Sequence, residues 1–381
     1  MAVPAWWLAS SFAFGQSVAA PSVDPSVEAE LGQGVTVSGS AGGATFQIRG
    51  RLQQRVWARW DGEAADGEEV GVGFQVRRLR LVFIGRIPQP SLQFYIQLGL
   101  APQDSDLSSP TPLADASVAW TPVRDFGLRV GQQKVPFNRE RVVSSSALQF
   151  PDRSIANGEF NLDRDLGIQV FSNDLFGWDE RLSYQVGVFN GDGRNRAMGD
   201  PGLLYVARCE VRPFGPFPDS YAQADTDRGA PRLALGAAAV RNTRSDRARS
   251  NNGEIYGIAR FSHEQAEFDV LFKAHGFSLH AEALARRSTP ATESGVVSRS
   301  GWGWSAASGY VFSTGFEPAL RVAQVDPIEG LTSEVEPSRE WRVGLNWYGH
   351  GHDLKLQTDF GQVSVGGSAV IEARSQLQVY F

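Results

Sequence analysis

The sequence predicts an all-β protein, a transmembrane antiparallel β-barrel of 16 strands. Three observations carry that expectation: alternating segments longer than ordinary strands, arginines gathered on one face of them, and connections that alternate long and short. The lead segment is Phe46–Trp60, FQIRGRLQQRVWARW. One face reads Phe46, Ile48, Gly50, Leu52, Gln54, Val56, Ala58, Trp60; the other reads Gln47, Arg49, Arg51, Gln53, Arg55, Trp57, Arg59. A period of two is the signature of a strand. Soluble strands run to about five or six residues, whereas a tilted membrane-crossing strand needs roughly nine to eleven. The arginine face cannot meet lipid, because each Arg at mid-bilayer costs about 2–4 kcal/mol. Taken alone, this strand would also suit a soluble sheet with a solvated basic face.

Composition narrows the class. No run in the 381 residues approaches an apolar transmembrane helix. The single cysteine, Cys209, excludes an internal disulfide. Formal charge is −6, yet the cations are almost all arginine, with lysine only at 134, 273 and 355. Acidic residues collect between strands, as in DGEAADGEE at 61–69, and arginines collect within them. That segregation argues against nucleic-acid binding, which needs an outward basic surface. Residues 1–20 read as a signal peptide with an apolar core and small-residue end, though without a basic start. Residues 21–44 read as a periplasmic linker rich in Gly, Ser and Pro, and 45–381 as one barrel domain.

The second strand, Phe74–Arg86, sets Leu79, Leu81 and Phe83 opposite Arg78, Arg80 and Arg86. Its arginine row lies one hairpin from the first, and two such rows repel unless water and anions lie between them. A wet lumen follows. Ser91–Leu100 alternates again, followed by Asp115–Thr121, Phe126–Lys134, Asp165–Phe171, Leu182–Asn190 and Leu203–Arg212. The remaining strands are Arg232–Val240, Glu267–Ala274, Phe277–Arg286, Trp302–Ser313, Phe316–Val325, Arg339–Tyr348, Asp353–Phe360 and Ile371–Phe381. Glu254–Ser262 could be a seventeenth; leaving it in a loop keeps the even number of bacterial barrels.

Long connections are expected at 61–73, 101–113, 135–164, 191–202, 242–266, 287–301, 326–338 and 361–370. Short ones fall at 87–90, 122–125, 276, 314–315 and 349–352. Long loops on one rim and tight turns on the other mark an outer-membrane barrel. The segment 214–231 breaks the rule, being long where a short turn is due. The aromatic end of the last strand, SQLQVYF, suits the signal such barrels offer their assembly machinery.

The longest loop, Val135–Arg164, would narrow the pore if it folds inward; exposed, its charges would simply be solvated. The expected pore wall is Arg49, Arg51, Arg55, Arg59, Arg78, Arg80 and Arg86. The expected constriction side is Lys134, Arg139, Arg141, Arg153 and Arg164. A ring of Arg and Lys selects anions, and guanidinium forks match phosphate oxygens bidentately.

Spread motifs carry a family resemblance: RGRLQQRV and RRLRL, then GQQKVPF (131–137), FPDRS (150–154), RDLGIQ (164–169) and VGVFNGDG (186–193). Later come FSLHAEAL (277–284), EPALRVAQVDP (317–327) and VGLNWYGHGHDLKLQTDF (343–360). In their order and spacing the chain resembles the phosphate-selective porins O and P over nearly its whole mature length. The resemblance implies a sixteen-stranded barrel, usually a homotrimer, with an arginine-lined channel and an inward third loop. Two departures stand out: the lysines found near the channel mouths of such proteins are nearly absent, and Asp152, Asp163 and Asp165 lie beside the loop arginines. Anion preference is therefore better supported than phosphate preference.

No catalytic residue, metal or cofactor is expected. Ser144–Ser146 and the five histidines show no nucleophile elbow or triad spacing, and NGDG at 190–193 reads as turn chemistry. The expectation is a bacterial outer-membrane porin for small anions, phosphate and chloride, embedded in outer-membrane lipid. The alternatives are a general anion porin without phosphate preference and a structural barrel plugged by its loops.

Overall fold

The computed structural model describes residues 26–39, 43–61, 70–88, 91–104, 111–196, 202–217, 221–257 and 259–381. The expected signal peptide lies outside them. Sixteen antiparallel strands form the wall. They are β1 (Thr45–Asp61), β2 (Val70–Ile87), β3 (Leu92–Gly99), β4 (Leu113–Val123), β5 (Phe126–Lys134), β6 (Arg164–Ser172), β7 (Leu182–Phe189) and β8 (Leu204–Val211). The others are β9 (Arg232–Ser245), β10 (Phe261–Ala274), β11 (Phe277–Pro290), β12 (Gly301–Tyr310), β13 (Phe316–Pro327), β14 (Ser338–His350), β15 (Leu354–Val365) and β16 (Ser368–Tyr380). Each pairs with its neighbour in sequence, and β16 returns to β1 from Val370↔Asp61 to Tyr380↔Arg51. The sheet is closed there.

Side chains are distributed inside-out relative to a soluble protein. Along β14, Trp341, Val343, Leu345 and Trp347 are exposed, while Glu340, Arg342 and Asn346 are buried. β8 repeats this, with Arg208 and Glu210 inward and Tyr205 and Val211 outward. An apolar exterior around a charged interior is stable only with lipid outside, because every backbone group is satisfied within the closed ladder. Among the described residues no helix is long and apolar enough to cross a membrane.

The structure alters four expectations. Within 21–44, Ser26–Glu30 and Gly34–Ser38 form a hairpin, and its second strand pairs with β1 below the end of β16. β10 begins at Phe261, six residues before the expected Glu267, because alternation continues through polar side chains near the rim. The doubtful Glu254–Ser262 is divided between a small hairpin (Arg247–Arg249 with Asn252–Ile255) and the start of β10. The long connection expected at 361–370 is instead a tight turn at Gly366 and Gly367, both at positive φ.

Two connections fill much of the lumen. The first joins β5 to β6 and carries short helices α1 (Arg139–Val142) and α2 (Ile155–Phe160). Ser154 caps α2, its hydroxyl accepting from the Asn157 amide at 3.1 Å. Phe137, Phe160 and Leu162 pack on inward Leu204, Val206 and Val240. The Leu148 carbonyl accepts from Lys355 at 2.7 Å, and the Gln149 carbonyl from Asn346 at 2.9 Å. The wall beneath is stripped of bulk: Phe150 packs on Ala307 and Ala319, and a Cβ at Gly344 would stand 3.1 Å from its ring. The second lies within the anomalous 214–231 segment, whose residues 221–231 enter from the opposite rim. Its Gln223 amide donates to the Ala147 carbonyl at 2.9 Å, so the two insertions meet mid-lumen.

Candidate functional site

The inner wall of β1 and β2 brings arginines face to face, with Arg51 directly opposite Arg80 across the ladder. They avoid each other by turning to different partners. Arg51 donates to Ser144 and Ser145 hydroxyls at 3.3 and 3.0 Å, and Arg80 to Asp104 at 2.5 Å. Between Gln53 and Gln54 the register slips: Gln53 pairs with Arg78 and Gln54 with Val76. Arg77 is the extra residue of this bulge. Strict alternation would aim it at lipid, but the bulge re-aims it inward, where it meets Asp152 at 2.9 Å.

Asp152, on the inserted loop, is a hub. Arg55 reaches it at 2.5 Å, Arg374 at 3.3 Å and Arg78 at 3.5 Å, besides Arg77. Burial pushes its carboxyl up, but Arg77 and Arg55 outweigh that and hold it well below the usual range. Arg374 is also held by Asp359, so the positive excess comes from Arg55, Arg77 and Arg78 around the one carboxylate.

Beside the hub lies a cavity of about 130 Å³ in the lumen. Its lining holds Arg77, Arg78, Arg80, Lys134, Arg141, Arg153, Arg164 and Arg194 against only Asp104 and Asp163. Asp163 pairs with Arg141 and with Arg164 at 3.3 Å, and those two hold it low although burial pushes it up. Burial, then Arg141, lowers Arg153 to about 9, so it stays charged at neutral pH. Lys134 donates to the Val142 and Val143 carbonyls at 2.8 and 3.2 Å, at the end of α1.

Of the residues expected from sequence, Arg78, Arg80, Lys134, Arg141, Arg153 and Arg164 converge here. Arg51 and Arg55 instead hold the inserted loop from β1. Arg139 also anchors, crossing to the far wall and pairing with Asp269 at 2.5 Å and Glu210 at 2.7 Å. Arg49 donates to Gln33 of the first hairpin, Arg59 is half-exposed near Asp61 at the loop rim, and Arg86 is exposed at the turn rim. Sequence reading missed Arg77, Arg194 and Asp104. The first is hidden by the bulge, and the other two lie in loops without period.

A family model described as phosphate-selective porin O and P matches residues 46–370. No curated protein matches the chain. Among solved structures, the anion-selective porin from Comamonas acidovorans shares 11% identity, with TM-score 0.60, covering 89% of this chain and 100% of that one. OmpF of Salmonella typhi shares 13%, with TM-score 0.61, covering 90% and 100%. The outer membrane channel DcaP of Acinetobacter baumannii shares 10%, with TM-score 0.57, covering 90% and 99%. At such identities these likenesses speak to the fold. The family match spans most of the chain, and with the inside-out barrel and its cationic lumen it decides the matter: the chain belongs to the phosphate-selective porin O and P family and is an anion porin of the bacterial outer membrane.

Proposed function

We propose that small anions, chloride and phosphate among them, diffuse passively along the β2–β7 side of the lumen. The observation that carries this is the lining of the cavity beside Asp152, eight cationic side chains against two carboxylates. Guanidiniums keep their charge at any working pH. Fixed cations replace part of an anion's hydration shell, and spreading them over several sites lets the ion leave again. Phosphate fits the guanidinium fork better than chloride does, since two parallel N–H···O bonds can form. The family description points the same way.

No chemistry on the permeating ion belongs to this reading. Ser145 accepts from Arg51, and Ser144 and Ser146 bond each other at 2.7 Å. Among the described residues no group of His, Cys, Asp or Glu could hold a metal. Removal of residues 1–20, contact of the apolar belt with outer-membrane lipid, and a homotrimer complete the proposal. The trimer rests on the family resemblance, and cross-linking in native membranes tests it.

The test of permeation is the reversal potential of single channels under a salt gradient, with chloride and then phosphate. An anion-selective current that phosphate blocks at low concentration supports both parts. Anion selectivity without block leaves a general anion porin. The meeting of two insertions in the lumen favours one other reading, a plugged barrel, and absence of current would select it.

A further inference from the structure

On the turn side of the cationic cavity lies a chamber of about 360 Å³, between the inserted loop and β3–β7. At roughly 30 Å³ per water it has room for about a dozen waters. It also falls within the roughly 300–1,000 Å³ typical of small-molecule sites. An inorganic anion leaves most of it empty. Its upper edge is shared with the cationic cavity through Arg80, Lys134 and Arg164. Arg80 commits Nε and Nη2 to Asp104, keeping Nη1, and Lys134 commits two of its three protons to carbonyls.

Below that edge the chemistry changes from charge to amide. Gln97, Gln133, Gln169, Gln185, Ser117 and Tyr95 line the walls. Asp115 is the acid here, and it is taken up by Arg164 at 2.9 Å and Gln97 at 2.9 Å. Two groups stand out. Gln133 is 5% exposed, and neither its amide nitrogen nor its oxygen has a partner. Arg129 stacks on the Phe171 ring at 4.8 Å and, among the described residues, pairs with no carboxylate. An amide both donates and accepts, as a hydroxyl does. Such a wall rewards a hydroxylated body.

We propose that the chamber is a binding site for polyol phosphate monoesters. Arg80 and Lys134 hold the phosphoryl head, while Gln133, Arg129 and the neighbouring amides hold the hydroxylated body. The site rests on the anion pathway proposed above and widens its substrate class from inorganic phosphate to small phosphate esters.

The experiment is block of chloride current through the full-length chain in planar bilayers by inorganic phosphate, glycerol phosphate and glycerol. Glycerol phosphate should block at a concentration on the order of tenfold below phosphate, the scale of one or two added hydrogen bonds, and glycerol should not block. The double variant Arg129→Ser, Gln133→Leu should remove that advantage and leave block by inorganic phosphate unchanged. Its chloride conductance reports that the barrel has formed. Equal block by the two anions in an anion-selective wild-type pore would overturn the chamber alone, as would an advantage that survives in the double variant. A cation-selective pore would overturn the anion-pathway reading and the chamber with it.

Discussion

The two halves of the lumen use the same residue type to opposite ends. On the β8–β16 side, arginines are matched by carboxylates. Arg208 meets Asp269 at 2.5 Å and Glu267 at 2.9 Å, Arg321 meets Glu340 at 2.6 Å, and Arg342 meets Glu372 at 2.5 Å. On the β2–β7 side, the eight cations around the cavity outnumber the four acids that reach them, Asp104 and Asp163 in the lining and Asp152 and Asp115 beside it. Matched arginine fastens inserted chain to wall; unmatched arginine makes a field. Counting arginines does not separate these roles, because the decisive quantity is the carboxylate opposite each one.

The largest expected effect lies on the matched side. Arg208→Ala strands Glu267 in a buried site, leaves Asp269 with Arg139 alone, and should cost about 3–5 kcal/mol, read as a lowered unfolding midpoint in detergent. Intact stability would mean the two halves are not distinct. On the unmatched side, Arg77→Ser with Arg80→Ser should still give an assembled barrel, with a smaller loss of stability because only Asp104 is left without its partner. It should lower the anion-to-cation permeability ratio about tenfold, or 1.4 kcal/mol, because Asp104 and Asp152 also lose cations. Between the halves, Gly344→Leu drives into Phe150, so the loop should shift away and single-channel conductance should rise.

Acidity should do less. Asp152 and Asp163 are held below the usual carboxylate range and Arg153 stays charged up to about 9. Selectivity should therefore be flat between about pH 6 and 8. It should rise only in strong acid, where carboxylates neutralise and net positive charge grows. The smallest effect belongs to Arg86→Ser. That side chain is exposed at the turn rim, so stability should move by less than about 0.5 kcal/mol and the reversal potential not at all.

All sixteen strands were legible because lipid and water impose opposite demands on alternate residues, and a period of two survives in the sequence. What the alternation could not reveal is where it slips. The bulge at Gln53/Gln54 turns Arg77 from the lipid side to the lumen, and no residue type there announces it. Asp104 and Arg194 reach the cavity from loops, where no period exists to project a side chain. Arg139 was legible as a cation of the inserted loop, but its role depends on Asp269 and Glu210 from distant strands. The 214–231 segment was visible as an anomaly of length, and the place of its residues 221–231 in the lumen is set by contacts such as Gln223 with Ala147.

The seam between β1 and β16 has a kinetic consequence. Its register joins Arg51 to Tyr380, so partners of one ladder lie more than three hundred residues apart. Closing a flexible loop of that length costs about 5 kcal/mol of entropy before any seam bond repays it. The chain cannot zip shut as it is made. Every other wall strand pairs with one already synthesised, whereas β1 must wait with one edge bare until Tyr380 exists. An unpaired edge in water templates aggregation. Something must shield that edge meanwhile, and the hairpin Ser26–Ser38, pairing with Thr45–Ile48, covers just its first four residues.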